Sequence, residues 1–476
     1  MTQKNTLVKN TFILIITSML IRLLGLVNRV ILTRLLGNEG ISLYMIILPS
    51  VMMFISLGSL SLNVTITKIV ATKNDQSVIK KGIKIGIVSS IVVGLILIII
   101  AKPLAFDWLK QKNAYYPILL TPPLIILSAI NSVLRGYFNG IKKVNIRSLS
   151  ILIEQIFRIA ITIVLLRYFM DRGIVFAVTI AILAMNFGEL ASIFYILIML
   201  KKWKPQNIQK CSSKEILDIS LPITSSRLIG NITYFLEPII FTFALTLLHY
   251  NNTEIMYKYS EATAYTIPLI TMFSFISTSV ATALIPHVAT ASNHEVGLYI
   301  KKACFYCLLP AIPISIILTF YAKPFMILIY DTEIGSANVQ KYAILFILFY
   351  VLSPLTAIMQ ARNKSKRLLQ ISAVADILKI GLIFSLPFIT EDSLILATLV
   401  PIILVIIILF YELKKSYPFK FTHHEIINFC LISIIVSVFA IILKVGNVNY
   451  LLSSLLILII FILACNVLSV FRFSNK

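Results

Sequence analysis

Arginine is well suited to gripping a phosphate, because its planar guanidinium stays charged and offers five donors that match two oxygens at once. Three arginines of this sequence, Arg22, Arg29 and Arg227, stand inside long apolar stretches with no acidic residue within a helical turn of them. A charge at bilayer depth costs roughly 3 kcal/mol on insertion scales, so each needs a partner or a purpose. Arg22 and Arg29 are seven residues apart and share one face of a helix. Arg227 lies in S-R-L-I-G (Ser226 to Gly230), which echoes I-R-L-L-G (Ile21 to Gly25). The three are candidates for binding a pyrophosphate. The competing reading is an ion pair with Glu189, Glu237 or Glu261 on another helix.

The other charges inside apolar stretches suggest different roles. Glu154 and Arg158 are four residues apart, and Asp376 and Lys379 three apart, so each pair either neutralises itself along one helix or acts as a gating pair. Arg34 falls near the end of its stretch, from where it snorkels to headgroups. Glu237 and Asp376 are the acids of the second half best placed to offer hard oxygen ligands to sodium, or to carry a proton, as a coupling ion. No G-x-x-x-x-G-K-[ST] loop for ATP occurs. The five histidines fall at the ends of stretches without spacing that closes a metal site. Cys304-x-x-Cys307 lacks the strand-then-helix setting of a redox motif. The expectation is a non-enzyme, with no catalytic residue, no structural metal and no resident cofactor.

Such charges need membrane-spanning helices to hold them, and the sequence supplies these. Of its 476 residues 59% are hydrophobic and only 13% charged, and the mean hydropathy is +0.95, which marks a polytopic membrane protein. Fourteen apolar runs of about 20 residues are found, at 11–35, 41–66, 85–101, 115–134, 149–166, 174–200, 219–248, 259–286, 303–321, 342–360, 368–389, 394–411, 426–443 and 450–471. Alternate connecting segments hold twenty-seven Lys and Arg on one side and nine on the other. Positive segments stay inside, so both termini are expected to be cytoplasmic. The net charge of +23 is thus a topology signal that also attracts anionic lipid, and nucleic acid is excluded as a partner.

The runs also repeat. Beyond the Arg-x-x-Gly match, Pro49 to Phe54 corresponds to Pro268 to Phe273, Leu127-Ser128 to Leu352-Ser353, and Glu154 with Arg158 to Asp376 with Lys379. An even number of helices per repeat implies two lobes related by an axis along the membrane normal. The expected fold is therefore all-α, with about fourteen transmembrane helices: an N-lobe over 1–210, a C-lobe over 211–415, and a C-terminal helix pair over 416–476. Pro49, Pro222 and Pro268 are candidate hinges, or ordinary kinks. Gly82-x-x-x-Gly86 and Gly136-x-x-x-Gly140 fit close helix contact within a monomer.

The stretches R-L-L-G-L-V-N-R-V-I-L-T-R-L-L-G-N-E-G-I-S-L-Y-M (Arg22 to Met45), L-R-G-Y-F-N-G (Leu134 to Gly140), I-E-Q-I-F-R-I (Ile153 to Ile159), L-P-I-T-S-S-R (Leu221 to Arg227) and I-P-H-V-A (Ile285 to Ala289) resemble the stage V sporulation protein B group. That group belongs, with MurJ-type flippases and multidrug extruders, to the multidrug/oligosaccharidyl-lipid/polysaccharide exporter superfamily. The resemblance covers the whole chain. It implies a fourteen-helix flippase of the bacterial plasma membrane that moves an undecaprenyl-pyrophosphate-linked glycan, such as a peptidoglycan precursor, from inner to outer leaflet. It further implies a C-terminal helix pair that forms a groove for the lipid tail, and a sodium site between the helices of Glu237 and Asp376. The alternatives are a cation-coupled multidrug exporter of the same superfamily and a non-transporting scaffold for envelope synthesis.

Overall fold

The computed structural model describes residues 2–73, 77–201 and 211–468, and no strand occurs among them. Lys202, Lys204, Lys210, Arg472 and Lys476 of the basic segments lie outside the described residues. Packing divides the chain into two compact units, Met1–Ser260 with Ile380–Glu391, and Glu261–Lys379 with Asp392–Lys476.

The first unit contains α1 (Thr2–Ser59), α2 (Leu62–Lys73), α3 (Ser77–Pro103), α4 (Tyr115–Leu119), α5 (Pro122–Gly140), α6 (Val144–Phe169), α7 (Ile174–Lys201), α8 (Ser213–Leu247) and α9 (Asn252–Ser260). A straight α1 would run about 87 Å, nearly three bilayer cores. Gly37 interrupts it with φ 65° and ψ −175°, a conformation open chiefly to glycine, and the break falls between the first two expected runs. Pro122 opens α5 at its first position, where a missing amide is harmless. Glycines then set how closely α5 and α3 approach α2. A Cβ at Gly136 would meet the Asn63 carbonyl oxygen at 2.7 Å, and one at Gly140 would meet Val70 Cβ at 2.6 Å. Gly82 and Gly86 face Ile66 and Leu62 in the same way. Both G-x-x-x-G motifs thus serve contact within this chain, around a core that includes Ile66, Val70, Val133 and Phe138.

The second unit contains α10 (Ile267–Ile270), α11 (Ser274–Thr290), α12 (Asn293–Tyr330), α13 (Ser336–Tyr342), α14 (Phe349–Ala361), most of α15 (Ser365–Ser385), α16 (Ser393–Ser416), α17 (His423–Val445) and α18 (Tyr450–Val467). α12 leaves helical geometry at Tyr321 (φ −121°, ψ 27°), three residues before Pro324, whose ring crowds the preceding turn. Ile300, Cys304, Leu355, Ile358, Leu409 and Leu413 join α12, α14 and α16 in one buried cluster. Ile312, Ile316, Val436, Ala440, Ile457 and Phe461 dock α17 and α18 on α12 in another. Cys304 and Cys307 are buried free thiols that fill space in these helices.

Among the described residues, ten helical segments are long and apolar enough to cross a bilayer, or up to thirteen if each of three bent pairs counts as one span. The first of them, Met19–Lys73, holds the Gly37 break and so covers two expected runs. The chain is a multi-pass helical membrane protein. Pro49 and Pro222 lie inside helices, whereas Pro268 is the second residue of α10, just ahead of a 58° bend. α8 and α9 pack within the first of the two compact units.

Candidate functional site

The intramembrane acids of the first unit are occupied by neighbours. Glu154 on α6 takes an ion pair from Arg135 on α5 at 2.6 Å and a second from Arg158, one turn along its own helix. Arg135 also donates to Ser192 Oγ at 2.8 Å and Ser150 Oγ at 3.2 Å. Glu189 on α7 accepts from the Asn131 side-chain amide, and the Ser192 hydroxyl donates to Asn131 Oδ1 at 3.2 Å. Gly188 lets α6 come close to α7, since a Cβ there would meet the Glu154 carbonyl oxygen at 2.8 Å. Arg135, Glu154, Arg158, Glu189, Asn131 and Ser192 thus form one buried polar network across α5, α6 and α7, as charges in low dielectric require. The spacing of Glu154 and Arg158 announced their pair. Arg135 stands just past the end of the apolar run 115–134, and Asn131 and Ser192 are neutral, so charge and spacing alone do not single them out.

Glu237 on α8 is 4% exposed and accepts from the Tyr259 hydroxyl at 3.2 Å. In the second unit Glu261 accepts from Asn338 Nδ2 at 2.8 Å. Asp376 stands one turn from Lys379 on α15, near enough for the lysine's charge to act on it. Glu237 belongs to the first unit and Asp376 to the second. Among the described residues no group of three His, Cys, Asp or Glu side chains gathers.

The three candidate arginines differ from this network. Among the described residues, no side chain pairs with, or accepts a hydrogen bond from, Arg22, Arg29 or Arg227. The acids that might have claimed them, Glu189, Glu237 and Glu261, are bonded to Asn131, Tyr259 and Asn338. Arg22 and Arg227 are exposed and Arg29 is half-buried. All three lie in the first unit, on two helices packed together. One turn beyond Arg227, Asn231 donates to Ser56 Oγ at 2.6 Å, and Phe235 meets Phe54 edge-on at 6.2 Å between ring centroids. Arg29 in turn is close enough to Tyr44 and Tyr234 for its charge to act on both hydroxyls. Among the described residues, the positive charge that these three arginines put on α1 and α8 is therefore not paired by any acid.

A helical, multi-pass chain with a buried, ion-paired polar network and with arginines that no acid pairs among the described residues has the make-up of a membrane transporter. Residues 7–286 match the polysaccharide biosynthesis protein family, and the chain belongs to that family. It is 32% identical over 404 residues to stage V sporulation protein B of Bacillus subtilis (strain 168), covering 80% of this chain and 78% of that one. It is 21% identical to the lipid II flippase MurJ of the same organism, over 87% of this chain and 84% of the relative. Its fold is similar to a solved lipid II flippase MurJ in an inward closed conformation, with a TM-score of 0.74 at 15% identity over 97% of this chain and 98% of that one. It is also similar to an inward-facing multidrug resistance transporter of the MATE family and MOP superfamily, with a TM-score of 0.60 at 15% identity over 84% and 97% of the two chains. The fold is that of the MOP transporters, as the sequence motifs led one to expect.

Proposed function

We propose that this protein is a flippase that carries an undecaprenyl-pyrophosphate-linked glycan, such as a peptidoglycan precursor or polysaccharide unit, from the inner to the outer leaflet by alternating access. The observation that carries this reading is the contrast within the first unit. There Glu154, Glu189 and Glu237 have partners inside the protein, and Arg22, Arg29 and Arg227 have none among the described residues. A diphosphate is the anionic part of any such lipid, and guanidinium forks bind it bidentately. An exporter of organic cations would instead need a free carboxylate. The likeness to the multidrug transporter spans 84% of the chain, against 97% for the flippase. The basic segments put both termini in the cytoplasm, and the partners are the lipid-linked substrate and membrane lipids, with the protein acting as a monomer. Coupling is assigned to Na+ or H+ at Glu237 or Asp376. Leaflet-specific labelling of lipid-linked precursors tests the reading. Depletion of the protein should trap precursor in the inner leaflet, and undiminished outer-leaflet labelling would reject it.

A further inference from the structure

The face that presents Arg22 and Arg29 has a glycine at its centre. Gly25 stands three residues after Arg22 and four before Arg29, the two spacings that stack side chains along a helix. It is exposed, and a Cβ built on it would meet no heavy atom within 4 Å. Glycine is the poorest helix former after proline, so alanine would fit here without a clash and would favour the helix. The packing glycines are different: a Cβ at Gly58, Gly136 or Gly140 would strike a neighbouring helix within 3 Å. Gly381 is open too, but its nearest cation, Lys379, is two residues away and on another face. The sequence repeat places a second exposed glycine, Gly230, three residues after Arg227. Packing therefore does not account for the missing side chain at Gly25, whereas a ligand lying against the helix does.

We propose that Gly25 is the seat of the substrate's diphosphate. The two phosphoryl groups lie across the bare backbone of α1, one toward the guanidinium of Arg22 and the other toward that of Arg29. The Cα atoms of these arginines are about 10.5 Å apart along the helix axis, and each side chain is long enough to reach inward over Gly25. Charge-assisted N–H to oxygen bonds hold only near 2.7–2.9 Å. A side chain at position 25 lifts the anion by about the width of a methyl group and breaks the double grip. An orthophosphate needs a single fork and tolerates the change. This inference rests on the anion-site reading above and names the residue that makes the site select a diphosphate.

The test uses the full-length protein in phosphatidylcholine nanodiscs, titrated calorimetrically with inorganic pyrophosphate and with orthophosphate. Gly25→Val should weaken pyrophosphate binding by about tenfold or more while orthophosphate affinity stays within about twofold. Gly25→Ala should weaken pyrophosphate by about threefold and melt at or above the parent temperature. Arg22→Ala and Arg227→Ala, run in parallel, separate the two levels of the claim. If Gly25→Val binds pyrophosphate like the parent while the arginine variants have lost it, the glycine seat is wrong and the anion site stands. If the arginine variants bind as tightly as the parent, the anion site itself falls. Should the valine variant not fold, unchanged pyrophosphate affinity in Gly25→Ala overturns the proposal.

Discussion

Whether a guanidinium at bilayer depth serves the fold or the cargo depends on what it touches. Arg135 and Arg158 both hold Glu154, whose side chain is 7% exposed. Glu154→Gln removes the buried carboxylate that both guanidinium groups hold, and breaking a buried pair in this way costs about 3–5 kcal/mol. The variant should accumulate poorly and melt well below the parent, as immunoblots and thermal melts will register. Arg22→Ala and Arg227→Ala should behave oppositely, with near-normal abundance and lost transport, because no described side chain depends on them. Lysine at either position should rescue only in part, since one compact ammonium cannot reproduce the fork. If both alanine variants transport fully, the arginines do not carry the substrate. At this scale the sequence displayed what charge and local spacing encode: the three arginines without a local acid, and the Glu154–Arg158 pair. It hid what depends on a neighbouring helix. Arg135 falls at the polar edge of an apolar run, and Asn131 and Ser192 are neutral. The available signal was Asn131-x-x-x-Arg135, two polar residues stacked on one face of an apolar helix.

Helix ends decide how each element is anchored, and one of them makes stability depend on pH. Ser212 caps α8 by accepting from the Glu215 amide, and Glu215 reaches across to Lys73 at the end of α2, at 2.7 Å. This lies ahead of the apolar run that starts at 219. The hydrogen bond from Lys73 is the main reason that the Glu215 carboxyl is held below its ordinary range. A carboxyl depressed on folding stabilises above its unfolded pKa, near 4.3, and loses that contribution as pH falls through the folded value. The side chain is 32% exposed, so the pair is worth at most about 1 kcal/mol. Glu215→Gln should lower the melting temperature by about 2 °C or less at pH 7, and the difference should shrink as pH falls below the ordinary carboxylate range and through the folded value. The same helix start reports topology. Native Cys211 is buried, with Lys81 donating to its carbonyl, so it is a poor probe. A cysteine at exposed Lys214 should resist an impermeant thiol reagent in intact cells and react after permeabilisation, and labelling from outside would reverse the assigned orientation. Element boundaries were largely legible: Gly37 falls between two runs, and Ser292-x-x-Glu295 and Thr422-x-x-Glu425 form the capping boxes that begin α12 and α17. The partner of each helix was not, because one apolar face in lipid looks much like another and only glycines such as Gly136 and Gly140 mark close approach.

At the scale of the whole molecule, hydropathy disclosed a multi-pass helical membrane protein, because composition survives where individual contacts leave no trace. It did not disclose which helices pack together, such as α8 and α9 within the first unit, since hydropathy says nothing about which surface a helix chooses. What drives the cycle is a property of the whole cycle and separates two accounts. An inside-negative membrane potential favours outward movement of an anion by about 2.3 kcal/mol per charge per 100 mV, so the arginine-bound diphosphate supplies its own response to voltage. The other account couples transport to sodium or protons at a carboxylate. Glu237 is buried with the Tyr259 hydroxyl as donor, and glutamine keeps an acceptor oxygen for that bond. Asp376 is half-buried beside Lys379. Transport into vesicles is measured with the sodium gradient, the pH gradient and the potential each collapsed in turn. If an acid couples an ion, Glu237→Gln or Asp376→Asn should abolish the dependence on that ion's gradient while pyrophosphate binding persists, because the arginines are untouched. If both variants follow the ion gradients as the parent does, neither acid is the coupling site. A rate that then falls only when the potential is collapsed leaves the charge of the substrate, held by Arg22, Arg29 and Arg227, as the element on which the membrane field acts.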